Sequence, residues 1–528
     1  MIETRHFYAI STQTTLDVET GTYRSMRPVL GEKTAPCVAA CPTGQDVRGF
    51  IQRLSEGDAD GALKLLLETN PLPGVTGRVC HRPCESECNR AEVDEPLAIQ
   101  ALERAAADYG RVELKAPPYK GKSVAVVGSG PAGLSCAFHL RKAGWAVTVF
   151  EREESFGGLL RTAIPAFRLP TEVLDADLSR LGSLGVDFRS GVNVGGSVGL
   201  DELRASFDAV FLAFGAQRSR VPEIPGLEAR KLRGGLDFLK SIDGRRPAAP
   251  FGKVAVLGGG NTAIDVARTV KRLGGEPVIC SPEDIEEMPA LAQEVASTLA
   301  EDIPILAGVT FGSIEDGAVR LTTRGRSRKV EVDEVIVAFG EDAECGWLPE
   351  ALVEDHAVAA GPGGETALEG VFAGGDCTAG ERTVAHAIGH GRRAALAIEA
   401  YLSGGSSAEE PSWAEIARLE DLNLDYLEPS VAACVTESPV AERIKDLALE
   451  VVRGLDRRVA FKEAARCLGC GICTTCGNCL VFCPDLAVVR YENKRGLNIL
   501  YEYCKGCGIC VTECPTGVLG LQREREGA

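Results

Sequence analysis

Histidine is scarce, with six in 528 residues. His386 and His390 stand four apart in Ala385-His386-Ala387-Ile388-Gly389-His390, but no glutamate lies between them. The zinc-protease pattern is therefore missing, and the pair reads as two helix residues. Basic charge is also short: 57 Lys and Arg against 75 Asp and Glu leave a net charge of −18. That sign opposes phosphate neutralisation and argues against nucleic-acid binding. No stretch approaches the roughly 18 apolar residues of a membrane span. The opening Met1-Ile2-Glu3-Thr4-Arg5-His6 lacks the apolar core of a secretory signal. Many cysteines without a signal point to metal ligation in a reducing compartment, so a cytoplasmic location is expected. The length excludes a single core and predicts roughly three or four domains. Apolar and charged fractions of 45% and 25% are those of a globular protein.

Cysteine, by contrast, is abundant: ten of the 20 lie between Cys467 and Cys514. Two copies of one pattern sit there, Cys473-x2-Cys476-x2-Cys479-x3-Cys483-Pro484 and Cys504-x2-Cys507-x2-Cys510-x3-Cys514-Pro515. In this arrangement three close thiolates grip one cubane, and the cysteine before proline ligates the other. The implied sets are Cys473, Cys476, Cys479 and Cys514 for one cluster, and Cys504, Cys507, Cys510 and Cys483 for the second. Zinc and disulfides are the alternatives that this spacing disfavours. Such a module moves single electrons and does no bond chemistry. Cys467 and Cys470 exceed the eight thiolates needed. They are spare ligands or structural thiols, and the structural reading is preferred.

Residues 1–115 read as mainly helical. Val47, Phe50, Ile51, Leu54, Leu63, Leu66 and Leu67 recur at helical spacing, which predicts a helix from Val47 to Glu68. Pro71, Pro73 and Gly74 stop it. From residue 116 the texture changes to short β-branched runs, glycine turns and helices, the βαβ signature of a parallel sheet. Ser403-Gly404-Gly405-Ser406-Ser407 reads as a linker. A short helical stretch, about 412–465, is expected to lead into the cysteine module of 466–528.

Ser123-Val124-Ala125-Val126-Val127 is a buried strand that runs into Gly128-Ser129-Gly130-Pro131-Ala132-Gly133 and then a helix to Lys142. A second strand, Val147-Thr148-Val149-Phe150, ends in Glu151. This is a complete dinucleotide fingerprint. Gly128 makes the turn, Gly130 admits the pyrophosphate, Gly133 lets helix meet strand, and Glu151 takes a ribose hydroxyl. A second copy follows: Lys253-Val254-Ala255-Val256-Leu257, then Gly258-Gly259-Gly260-Asn261-Thr262-Ala263, then a helix to Arg272. Ala263 takes the third glycine's place. A third glycine segment, Gly370 to Asp376, precedes Thr383 and Val384 at the start of another helix. No Cys-x-x-Cys lies beside either loop, so disulfide reduction is not expected, and no acid–base constellation is visible.

This order resembles a flavin–pyridine nucleotide oxidoreductase. In such enzymes FAD lies on the first loop, the nicotinamide nucleotide lies on the inserted second, and an aspartate like Asp376 holds the ribityl chain. The resemblance narrows on Gly157-Gly158-Leu159-Leu160-Arg161 through Arg168-Leu169-Pro170, Ala213-Phe214-Gly215-Ala216 and Glu287-Met288-Pro289-Ala290. These residues, with Asn70-Pro71, Gly77-Arg78-Val79-Cys80 and Cys84-x3-Cys88, resemble the glutamate synthase small-subunit family over about residues 35–402. The fold class it implies is α/β. A helical iron–sulfur domain (1–115) leads into an FAD domain in two segments (116–248 and 352–402). An NAD(P) domain (249–351), a connector (403–465) and an α+β ferredoxin-like domain (466–528) complete the chain. Gly158, Leu159, Arg161, Gly215, Gly375, Asp376, Thr383 and Val384 join the first loop around FAD. The tail, with Phe482-Cys483-Pro484 and Tyr503 to Cys510, resembles delta subunits of 2-oxoacid:ferredoxin oxidoreductases. A flavoprotein so tailed is also similar to the NAD(P)H-oxidising partner of reverse-type sulfite reductase.

Two departures matter. The family carries two N-terminal clusters and an upstream Cys-x2-Cys, whereas no cysteine precedes Cys37 here. The resemblance implies one retained cluster on Cys41, Cys80 and Cys84, with Glu103 or a nearby cysteine as fourth ligand. Cys37 and Cys88 are then remnants. That makes three [4Fe-4S] clusters, or about twelve irons. Where NADPH-using members have an arginine pair, this chain has Pro282 and Glu283. NAD(H) is therefore expected over NADP(H), with Glu283 on the 2′-hydroxyl. The expected function is to move electrons between nicotinamide and a ferredoxin-type acceptor through flavin and clusters. The expected acceptors are a ferredoxin or the iron–sulfur and thiamine-diphosphate subunits of a hetero-oligomeric complex. A glutamate synthase small subunit is the rival that the ferredoxin tail argues against.

Overall fold

The computed structural model describes residues 19–226, 233–242, 252–315, 317–323, 325–405, 415–491 and 496–524. Two five-stranded parallel sheets occupy its middle. The first runs Val371–Ala373, Ala209–Leu212, Ser123–Val127, Ala146–Phe150, Asp187–Arg189. The second runs Ile305–Leu306, Glu276–Cys280, Lys253–Leu257, Glu334–Val337, Arg233–Gly234. Val124, Val126, Val254 and Val256 are fully buried, as strands covered on both faces must be. Each sheet reverses its strand order beside its central strand, Ser123–Val127 or Lys253–Leu257, and its glycine loop follows that strand. Open parallel sheets bind ligands at such a point. Arg233–Gly234 joins the second sheet ahead of the boundary expected at residue 249. An antiparallel sheet, Val309–Glu315, Ala318–Thr323 and Arg326–Glu331, is hung on the second fold.

The helices Pro131–Lys142 and Val384–Ser403 pack face to face. A Cβ on Gly391 would stand 2.1 Å from the Ala132 carbonyl oxygen, so glycine permits this approach. The return segment thereby lies against the first glycine loop.

The N-terminal domain is helical, but the single helix expected over 47–68 is two: Val47–Ser55 and Ala59–Leu66. Gly57 turns the chain at φ +82°, a conformation open to glycine. Asp58 then caps the second helix by accepting from the Gly61 amide at 2.8 Å. The helical periodicity runs through the break because both helices bury the same face.

The chain's ends meet. Met26–Leu30 pairs antiparallel with Leu519–Arg523, so this strand, expected in the N-terminal domain, completes the C-terminal one. The Tyr501 hydroxyl donates to the Pro28 carbonyl at 2.8 Å. The expected helical stretch at 412–465 is mostly irregular, with Val440–Arg443 and Arg457–Ala464 as its α-helices among the described residues. Pro429 and Pro439 interrupt it. Leu455, Ala460 and Ala464 share one core with Val47, Phe50 and Leu102. The connector is thus a strap across the N-terminal domain. The linker residues 406–414 lie outside the described residues.

A buried ion network ties the strap to the second fold. Glu301 accepts from Arg268 at 2.8 Å and from Arg272 at 2.8 Å, and Arg443 forms an ion pair with it at 2.9 Å. Burial alone would raise the Glu301 pKa, but the arginines overcome it and bring it down to about 2. A depressed carboxylate contributes stability that is present above about 4.5, its ordinary value, and is lost as pH falls through about 2. Glu301→Gln should cost about 3 kcal/mol by stranding buried arginines. It should also flatten the acid limb of the unfolding profile, as denaturant titrations from neutral to acid pH would register.

Candidate active site

A cavity of about 570 Å³ opens where the two dinucleotide folds face each other. Gly128, Gly130, Pro131, Ala132, Glu151, Gly158, Leu159, Gly215, Gly375, Asp376, Thr383 and Val384 line one part, and Gly260, Asn261 and Thr262 line another. Both loops therefore share one space. A Cβ on Gly130 or Gly260 would meet nothing within 4 Å, whereas one on Gly133 would lie 2.0 Å from the Gly128 oxygen. The first two glycines thus leave room for a ligand, and the third seats the helix. The helices that start at Pro131 and Asn261 have no side-chain cap. Their first amides are left for an anion. Glu151 is buried and accepts from the Ser129 amide at 3.0 Å and the Glu153 amide at 3.0 Å.

Acidic groups converge at the cavity's middle. Burial raises Asp376 to about 6, against the pull of Arg382. Burial also raises Glu341, and the charge of Asp376 adds to it. Thr262 donates to Glu341 at 3.5 Å, and Arg382 donates to its carbonyl. His81, next to Cys80, lines the same cavity and lies 3.0 Å from the Asn261 amide nitrogen. Burial lowers its pKa.

Behind His81 stand Cys41, Cys80, Cys84 and Glu103. Burial lifts the three thiols, and Cys80 reaches about 12. The charge of Glu103 acts on all of them. Glu103 is buried and raised to about 7 by desolvation. Its Oε1 accepts from Gln45 at 2.9 Å, Asn70 at 2.9 Å and Thr76. Pro42, beside Cys41, packs on the helix Val384–Ser403: a Cβ on Gly389 would stand 2.1 Å from the Pro42 oxygen.

In the C-terminal module Cys473, Cys476, Cys479 and Cys514 line one small cavity. The charges of Cys483 and Cys507 act on both Cys504 and Cys510, which places these four as a second group. Cys37 and Cys88, expected as remnants, have other cysteines for neighbours. They lie with Cys467 and Cys470, and the charge of each of the other three raises the Cys37 thiol further above the shift due to burial. Two cysteine pairs that are remote in sequence are thus brought together by the fold.

Comparison with known proteins agrees with this layout. Residues 122–391 match the pyridine nucleotide-disulphide oxidoreductase model. Residues 12–114 match the dihydropyrimidine dehydrogenase domain II, 4Fe-4S cluster model, and 472–519 match a 4Fe-4S dicluster domain. The chain belongs to the pyridine nucleotide-disulphide oxidoreductase family. The NADP(+)-dependent formate dehydrogenase subunit beta of Moorella thermoacetica is 34% identical over 83% of this chain and 70% of its own length. The NADPH-Fe(3+) oxidoreductase subunit beta of Geobacter sulfurreducens is 34% identical over 83% of this chain and 75% of its own. The NAD-dependent dihydropyrimidine dehydrogenase subunit PreT of Escherichia coli is 34% identical over 71% of this chain and 92% of its own.

This oxidoreductase therefore takes FAD, a nicotinamide nucleotide and [4Fe-4S] clusters. Among the described residues no helix is long and apolar enough to cross a membrane. The cavity lining includes some of the residues that the resemblance implies and leaves out others. Arg161 turns out of the cavity, donating to the Phe156 carbonyl at 2.7 Å and pairing with Asp175. Gly133, Gly258 and Ala263 pack rather than line. Glu283 accepts from Ser281 at 2.7 Å and lies over Gly259. His81, Glu341 and Arg382 carry no motif; only the adjacency of His81 to Cys80 hints at a role. Gly133→Ala should displace the first helix and yield protein with little flavin absorbance after purification, whereas Gly182→Ala, with open space around it, should keep its colour.

Proposed function

We propose that this chain is the nicotinamide-facing electron-transfer subunit of a larger complex, favouring NAD(H). The observation that carries this is the single cavity shared by both glycine loops, with His81 joining its wall to Cys80. Bound FAD would take the two electrons of a hydride and give them up one at a time. The protein's part is position. The amides after Gly130 and Gly260 hold pyrophosphates, Glu151 and Asp376 accept ribose and ribityl hydroxyls, and apolar walls exclude water. Cys41, Cys80 and Cys84 would hold the cluster nearest the cavity. Glu103 fits as fourth ligand because its three hydrogen bonds all fall on Oε1, leaving Oε2 for iron. The C-terminal quartets would hold two more. The beta-subunit names of its relatives support a role beside a partner that does the substrate chemistry. That partner would be iron–sulfur rich, as a ferredoxin or a thiamine-diphosphate oxidoreductase subunit is.

Glu283 supports NAD(H), since a carboxylate bonds a hydroxyl and repels a phosphate. With a dye as acceptor, kcat/KM should be higher for NADH. Glu283→Arg should move the ratio toward NADPH by about tenfold, or 1.4 kcal/mol. Equal turnover of both nucleotides by the native protein would overturn the preference.

FAD affinity should depend on pH through Asp376. Hydroxyls that donate to this carboxylate favour its ionised form, so binding releases a proton while the empty site is still protonated. Affinity should then rise as pH rises toward about 6 and level off above it. Flavin fluorescence titrations of apoprotein would measure this, and Asp376→Asn should give a flat profile.

A further inference from the structure

We propose that Cys37, Cys88, Cys467 and Cys470 bind a fourth [4Fe-4S] cluster, assembled from both ends of the chain. Cys37 lies on the turn Pro36–Ala39, and Cys88 follows the turn Pro83–Ser86. Cys467 and Cys470 follow the helix Arg457–Ala464. All four border one apolar core. Their mutual charge effects mark them as neighbours: Cys88, Cys467 and Cys470 act on Cys37, and Cys88 and Cys470 act on Cys467.

The surroundings suit an anionic cluster. Arg48 is the cation whose charge offsets the thiols of Cys37, Cys467 and Cys470. It donates to the Lys33 and Cys470 carbonyls at 2.8 Å each. Its Nε is buried with no hydrogen-bond partner. Such a group is costly to bury unless something else compensates it. The Asn89 side-chain amide donates to the Cys470 sulfur at 3.6 Å and to the Ala417 carbonyl at 3.2 Å. Hydrogen bonds to ligand sulfur are a usual means of setting a cluster's potential.

Zinc fits less well. A single ion needs its sulfurs at about 2.3 Å from one point. Among the described residues no three Cys, His, Asp or Glu side chains close down in that way, the ferredoxin thiols included. Thiolates that each grip a different iron of a cube stand farther apart.

Position gives this site a role. Cys37 and Cys41 lie one turn apart, as do Cys84 and Cys88, so it abuts the thiols behind His81. Cys470 is three residues from Cys473, and Gly471 donates to the Thr516 carbonyl at 2.7 Å, two residues from Cys514. The site therefore stands between the cavity-side cluster and the ferredoxin pair, where single electrons must pass.

The test is metal analysis of anaerobically purified full-length protein. About sixteen irons per chain are expected, with no zinc. About twelve irons, or stoichiometric zinc, would overturn the inference and leave the proposed function standing; absence of iron would sink both. The double variant Cys467→Ala/Cys470→Ala should lose about four irons and one reduced-cluster signal in electron paramagnetic resonance. Its FAD content reports whether it folds. If it fails to fold, the iron count and Mössbauer spectrum of the native protein decide alone. An unchanged iron count in the folded variant would overturn the assignment of these ligands.

Discussion

A largely buried clamp of four charged side chains closes the C-terminal strap onto the N-terminal domain, and the placement of Cys467 and Cys470 follows from it. Arg466 donates to Glu463 at 2.7 Å and to Asp94 at 2.8 Å, while Arg90 donates to Asp94 at 2.8 Å and to the Arg466 carbonyl at 3.1 Å. Glu463 also accepts the amides of Ala98 at 3.0 Å and Ala433 at 2.8 Å. The hydrogen bond from Arg90 holds the Asp94 carboxyl well below the usual range. Buried ions are tolerable only when fully paired and hydrogen-bonded. Misplacing the strap would strand several of them at once, so the clamp specifies position more than it adds stability. Cys467 follows Arg466 directly, which is how the clamp sets the thiols.

The electron path is built on packing rather than on catalytic side chains. The first dinucleotide fold receives the helix Val384–Ser403 against its glycine-loop helix. The same helix receives the Cys41-Pro42 turn on its other flank at Gly389. Cavity and first thiol group are thus fixed to one rigid element. At the far end, the pairing of Met26–Leu30 with Leu519–Arg523 covers the edge strand of the ferredoxin module. Lys33, just beyond that strand, donates its amide to Gly471 at 2.9 Å.

Much of this was legible from local chemistry. Glycine loops, the acids that follow their second strands and the repeated cysteine spacing each lie within a few dozen residues. Their geometry follows from strand–turn–helix rules. The two parallel sheets came out as the sequence implies. Legibility failed where partners are far apart. Periodicity could not reveal the break at Gly57, because both helices show the same face to one core. The strand Met26–Leu30 has no nearby partner in sequence, and Arg161 carries a family motif yet satisfies itself on Phe156 and Asp175.

Local spacing alone told what chemistry the chain can host: dinucleotide binding, because glycine, helix start and acid are contiguous, and iron–sulfur chemistry, because two cysteine repeats fall within one short module. Tertiary structure decided which groups face one another. Only the folded chain puts His81 against Asn261, gathers Glu103 with Cys41, Cys80 and Cys84, and brings Cys37 and Cys88 to Cys467 and Cys470. The physical reason is separation: those last thiols are several hundred residues apart, and a contact made by chain closure leaves no periodicity or spacing in the line of residues.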